Sequence, residues 1–127
     1  PETILYKRTK LNEQEYNWIR EHTVQGRQIL AYCDGVGEIT KDIVFCHHER
    51  LDGSGYPQGL KGEELSIYTR MINIIDTYDA MISRRNYAEV KKPQDVINEL
   101  STHSEKFDEN LVEVFSNILG LDFLRKV

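Results

Sequence analysis

Residues 66–83 read SIYTRMINIIDTYDAMIS. Ile67, Met71, Ile74, Ile75, Tyr78, Met81 and Ile82 recur at the three- and four-residue spacing of a helix and cover more than half of its circumference. The stretch predicts the central, most buried helix of a bundle. Asp76 stands midway along it, amid Met71, Ile72, Ile74, Ile75 and Tyr78. An isolated ionised carboxylate in such surroundings is costly, so Asp76 needs a partner, either a metal ion or an arginine such as Arg70. Asp79, one turn on, is better suited to a solvent-facing place.

On either side of this helix, the chain reads as further helices around one loop. Asn12 and Glu15 have the spacing of a capping box, and a helix is expected from about Asn12 to Cys33. Tyr16, Ile19, Ile29, Leu30 and Cys33 mark its buried stripe. A turn at residues 34–38 precedes a second helix over about Thr40 to Glu49, with Ile39, Ile43, Val44 and Cys46 inward. Glycines 53, 55, 59 and 62 then crowd a stretch that neither a helix nor a central strand tolerates well. Beyond residue 83, Pro93 suits the first turn of a helix carrying Val96, Ile97 and Leu100. Asp108 suits the cap of the next, with Phe107 and Val112 at hydrophobic-staple spacing. Leu111, Val112, Phe115, Ile118 and Leu119 form its inner face, and Gly120 its stop. The expectation is an all-α helical bundle of about five helices with a glycine-rich loop.

Composition sets the outer bounds. The chain has 127 residues, 39% hydrophobic and 29% charged, and its 16 Lys and Arg against 21 Asp and Glu leave a net charge of −5. That is a soluble globular domain rather than a disordered segment or a coiled coil. No apolar run approaches the ~20 residues of a membrane-spanning helix, and an acidic balance gives no general attraction for DNA or anionic lipid. Cys33 and Cys46 lie outside any C-x-x-C spacing and read as reduced, buried residues of a cytoplasmic protein. The chain begins at Pro1 without an initiator Met, and reads as cut from something longer.

Three histidines carry the chemical interest. His22 shares the inward face of its helix with Ile19 and Gly26; taken alone, it is most simply a core histidine bonded to a backbone carbonyl. Gly26, costly inside a helix, makes sense if another helix or a bound group comes close. His47 and His48 are consecutive, so on a helix they project about 100° apart and can grip two sides of one site. A solvated helix terminus accounts well for one such histidine and poorly for two. His22, His47, His48 and Asp76 mix imidazole nitrogen with carboxylate oxygen, a set that suits iron, manganese or zinc rather than calcium. His103 lies in a polar run and reads as surface.

The run from His47 to Gly62, HHERLDGSGYPQGLKG, resembles the signature of the HD-GYP domain family, bacterial metal-dependent phosphodiesterases that hydrolyse cyclic di-GMP. Residues 75–81, IDTYDAM, are similar to that family's I-x-D-x-Y-D-A-M segment, and His22 with Gly26 to its H-x-x-x-G helix. Pro1 to Leu11 resembles the extended segment that introduces this helix, and residues 107–112 its closing region. The resemblance implies an HD-superfamily bundle in which His22, His47, His48 and Asp76 ligate a di- or trinuclear iron or manganese centre. It implies that Arg85 contacts substrate phosphate, and that Gly55, Tyr56 and Pro57 form a loop beside the site that meets partner proteins, including GGDEF domains. No histidine here is followed by aspartate, so the family's His-Asp pair is absent from these residues. Asn86 and Ala88 also replace a usual proline and basic residue. The expectations are a cyclic di-GMP phosphodiesterase in the parent protein and an inactive, N-terminally incomplete domain in this chain alone. A catalytically degenerate module for regulation or docking is the alternative. Incomplete packing would also favour a homodimer.

Overall fold

A computed structural model describes residues 2–83 and 89–125. The described residues form six α-helices: α1 (Glu2–Leu5), α2 (Glu13–Ala31), α3 (Glu38–Cys46), α4 (Ile67–Ile82), α5 (Pro93–Thr102) and α6 (Glu109–Leu119). Among the described residues there is no strand; a single antiparallel bridge joins Asp52 to Lys61 across the loop between α3 and α4. The sixth helix, beyond the five expected, is the one-turn α1, which occupies part of the segment expected to be extended.

The boundaries follow local chemistry. Asn12 accepts from Glu15 N at 2.9 Å while the Glu15 carboxylate accepts from Asn12 N at 2.8 Å, so the capping box closes at the start of α2. Ser66 caps α4 through Thr69 N, and Pro93 occupies the first turn of α5. Asp108 accepts from the Asn110 and Leu111 amides at the head of α6, and Gly120 ends that helix in the left-handed region at φ 67°.

The core is gathered at one end of the chain. Ile74 and Tyr78 of α4, Val96, Ile97 and Leu100 of α5, Phe107, and Val112 of α6 form one buried cluster, with the Tyr78 and Phe115 rings edge to face at 5.1 Å. α3 packs on α4, and α2 packs on α3. Gly26 is the contact point: a Cβ there would lie 2.7 Å from Val44 Cγ1, so the bare glycine lets α3 approach α2.

Several expected buried faces are open. On α2, Tyr16 and Ile29 are exposed, as is Cys33 just beyond its end, and the buried residue is Thr23 on the side facing α3. Ile39 is exposed at the start of α3. On α4, Ile67, Met71 and Ile75 are exposed, so it is buried on one side rather than enclosed, and Ile118 and Leu119 of α6 are open as well. Helical spacing identifies which residues share a face; whether another element covers that face is settled by packing, and no described element lies over these. Arg70 also finds a different partner. It donates to Asp108 Oδ2 at 3.2 Å, Leu65 O at 3.0 Å and Gly62 O at 3.1 Å, clamping the loop exit to the head of α6 rather than neutralising Asp76. Both thiols are free, Cys46 buried and Cys33 exposed.

Candidate metal centre

The second helix ends earlier than its apolar pattern suggests. α3 stops at Cys46, Glu49 N bonds back to Cys46 O at 2.8 Å, and His47 becomes the C-cap with His48 in the turn beyond. The two histidines are therefore at a helix terminus and not on the helix itself. That terminus faces α2, and the rings of His47 and His48 lie 5.2 and 5.0 Å from the ring of His22. One nitrogen from each of the three fits within 4.8 Å of the others.

The tautomers follow from the backbone. His22 Nδ1 lies 2.6 Å from Ile19 O, and His47 Nδ1 lies 2.8 Å from Val44 O. A carbonyl only accepts, so in both neutral rings the proton resides on Nδ1 and the Nε2 lone pair is free. These two Nε2 atoms face one another at 3.2 Å. Two lone pairs at that distance repel unless a cation or a proton lies between them. The donor set thus fits a metal ion: three imidazoles converge, two of them oriented by the second-sphere carbonyl contact usual for metal-bound histidine. Asp76 is half-buried on α4 and does not join the three within the same radius. Its charge instead supports the Arg50 guanidinium, whose pKa is pushed down by burial and partly restored by Asp76. Arg50 donates to His47 O and Glu49 O and lies over the Phe107 ring. Arg85, expected to contact substrate, falls outside the described residues, as do Asn86 and Ala88.

The glycine-rich loop closes over this terminus. Glu49 is fully buried, and its two carboxylate oxygens accept from Gln58 N at 2.6 Å and Leu60 N at 2.9 Å. Tyr56 N donates to His48 O at 3.2 Å. At Gly55 the loop crosses so close that an added Cβ would fall within 3.0 Å of His48 O, Glu49 Cα and Arg50 N. The loop backbone is pinned to the residues that carry the imidazoles, and the Tyr56 ring is stacked on His48 at 4.8 Å and 20°, before the cis Tyr56–Pro57 bond. Burial raises the Tyr56 hydroxyl pKa, while Arg20 and Arg50 oppose the shift.

Two of these residues received no role from the sequence. Glu49 sat inside the loop signature, yet nothing in its spacing marked it as buried. Asn73, 3% exposed, donates to Glu49 O at 2.7 Å, tying α4 to the loop anchor. Its signal is present in the sequence, because Asn73, like Asp76, is a polar residue on an apolar helix and needs a partner.

A family model described as HD domain matches residues 1–111. A Pseudomonas aeruginosa protein named cyclic di-GMP phosphodiesterase is 34% identical over 121 residues, 95% of this chain and 29% of that protein. A Thermotoga maritima protein of the same name is 36% identical over 117 residues, covering 91% of this chain and 32% of its own length. A Vibrio cholerae protein named 3'3'-cGAMP-specific phosphodiesterase 1 is 40% identical over 98 residues, 77% of this chain and 22% of that protein. The chain spans about a third or less of each of these curated relatives. With that match over most of its length and the signature loop folded onto its paired histidines, the chain belongs to the HD domain family, in its HD-GYP branch.

Proposed function

We propose that the protein to which these residues belong is a metal-dependent phosphodiesterase that hydrolyses cyclic di-GMP. The observation that carries this reading is the convergence of three imidazoles, with the Nε2 atoms of His22 and His47 3.2 Å apart while their Nδ1 atoms face backbone carbonyls. His22, His47 and His48 would hold the metal, with Asp76 as a carboxylate ligand drawn in from α4. A bound iron or manganese ion would supply Lewis-acid polarisation of a phosphoryl oxygen and an acidified attacking water. The chain's own part is to hold the imidazoles in one tautomer, to cover His48 with Tyr56, and to bring cationic side chains to the phosphate, Arg85 among them by family resemblance. No helix of the described residues is long and apolar enough to cross a membrane, and two free thiols accord with a cytoplasmic setting.

Three imidazoles and one more distant carboxylate supply too few bridging oxygens for a di- or trinuclear centre. For these 127 residues alone the reading is therefore weak metal binding and little or no hydrolysis. The test is anaerobic loading of the full-length protein with Fe(II) or Mn(II), followed by assay of cyclic di-GMP and 3'3'-cGAMP for linear dinucleotide or mononucleotide. Absence of turnover of either with metal demonstrably bound overturns the enzymatic reading. It would favour the second one, a docking module that uses the Gly55–Tyr56–Pro57 loop toward a GGDEF-type partner or a second copy. That alternative draws on Asn86 and Ala88, which stand where the resembled family usually has a proline and a basic residue.

A further inference from the structure

Beside the histidines, between α2 and the Tyr56–Pro57 loop, lies an open cavity of about 220 Å³ lined by Asn17, Arg20, Glu21, Val24, Tyr56 and Pro57. Arg20 sits two residues before His22 and its guanidinium lies 5.3 Å from the centroid of the Tyr56 ring, which is itself stacked on His48. The other arginine near this ring, Arg50, is committed to the carbonyls of His47 and Glu49. Arg20 is exposed, and among the described residues no carboxylate lies within ion-pair distance of it. A guanidinium lying against a ring keeps its in-plane N–H groups free, and that edge is the fork that matches phosphate oxygens. Glu21 on the same rim repels a bare anion but accepts from the N–H edge of a nucleobase, so the cavity favours a nucleotide over an inorganic ion.

We propose that Arg20 is a substrate-binding residue that receives the second phosphate of a cyclic dinucleotide whose first phosphate lies at the three histidines. The assignment rests on the phosphodiesterase reading above. A cyclic dinucleotide carries two phosphodiesters, so a site that holds one at a cation leaves the other to be neutralised nearby. Arg20, stacked on the ring that covers His48, is the cation positioned to do it.

The experiment measures binding rather than turnover, by calorimetry on the full-length protein and its Arg20→Ala variant, both loaded with Zn(II) in place of a turnover-supporting ion and with the ligand recovered uncleaved. Cyclic di-GMP, with two phosphodiesters, is compared with the linear dinucleotide GpG, which has one. The expected result is a loss of about ten- to a hundred-fold in affinity for cyclic di-GMP, with GpG changed less than about threefold. Equal weakening of both ligands overturns the assignment, because an indirect disturbance of Tyr56 would act on both alike. Unchanged affinity for cyclic di-GMP in a variant with wild-type circular dichroism also overturns it and leaves the phosphodiesterase reading standing. If the wild type binds no cyclic di-GMP, that reading fails, and the Arg20 Nε–Hε resonance is followed with GDP. A saturable shift there supports Arg20 as a nucleotide-phosphate ligand, and an unmoved resonance overturns it.

Discussion

Replacing Glu49 by Gln tests whether one buried carboxylate holds the loop on the histidines. The side chain is fully buried, and each of its oxygens accepts one backbone N–H, from Gln58 at 2.6 Å and Leu60 at 2.9 Å. Glutamine has nearly the same shape but offers one oxygen and one NH₂. Whichever way the amide is turned, one of the two loop amides faces a donor. A hydrogen bond to a charged acceptor contributes about 1.5–3 kcal/mol, and a stranded buried amide costs about 1–3 kcal/mol. Removing the charge also returns part of its desolvation cost, which offsets some of that loss. The net expectation is a destabilisation of about 2–4 kcal/mol. At about 3–4 °C per kcal/mol for a domain of this size, the melting temperature falls by roughly 6–16 °C. The local readout is amide hydrogen exchange: the Gln58 and Leu60 amides lose protection before those of the α5 core. A variant that melts within about 2 °C of wild type and keeps both amides protected would refute the idea that Glu49 anchors the loop.

Three further outcomes follow from the same geometry. Gly55→Ala places a methyl against the backbone of residues 48–50, so the loop must lift; a loss of about 1–3 kcal/mol is expected in a thermal melt, together with an upfield-to-random shift of the Tyr56 ring protons as they leave His48. His47→Ala removes one of three converging donors and should weaken Co(II) binding, read from its visible absorption, by more than about 100-fold; equal affinity would place the metal elsewhere. Glu15 is held below the ordinary glutamate range by its bond from Lys7 and then by that from Asn12 N. Its contribution to the start of α2 is therefore present above the unfolded glutamate pKa and lost as pH falls through the lowered folded value. A carboxyl NMR titration checks this, and a Glu15 midpoint at or above the ordinary glutamate range contradicts it.

Much of the local structure was legible in the sequence because its causes are local. The Asn12–Glu15 box, Ser66, Pro93, Asp108 and Gly120 mark helix ends through interactions within three or four residues, and the helices end there. The His22, His47 and His48 set was legible by type and spacing. The α3 terminus was not, since Ile43, Val44 and Cys46 continue a helical pattern that Glu49 N breaks by turning back to Cys46 O. The open faces of α2 and α4 are not legible for a related reason: periodicity reports a shared face and is silent on its neighbour.

The all-α class, the helix caps and the residue types able to bind a metal follow from sequence, because propensity, capping and side-chain chemistry act over a few residues. The tertiary structure alone decided that His22 meets His47 across 25 positions with their Nε2 atoms opposed, that Glu49 points inward to hold the loop, and that Arg70 goes to Asp108 while Asp76 supports Arg50. Those choices depend on which elements pack together. Long-range packing is settled by the summed burial and hydrogen bonding of the whole fold, which no short window of residues contains.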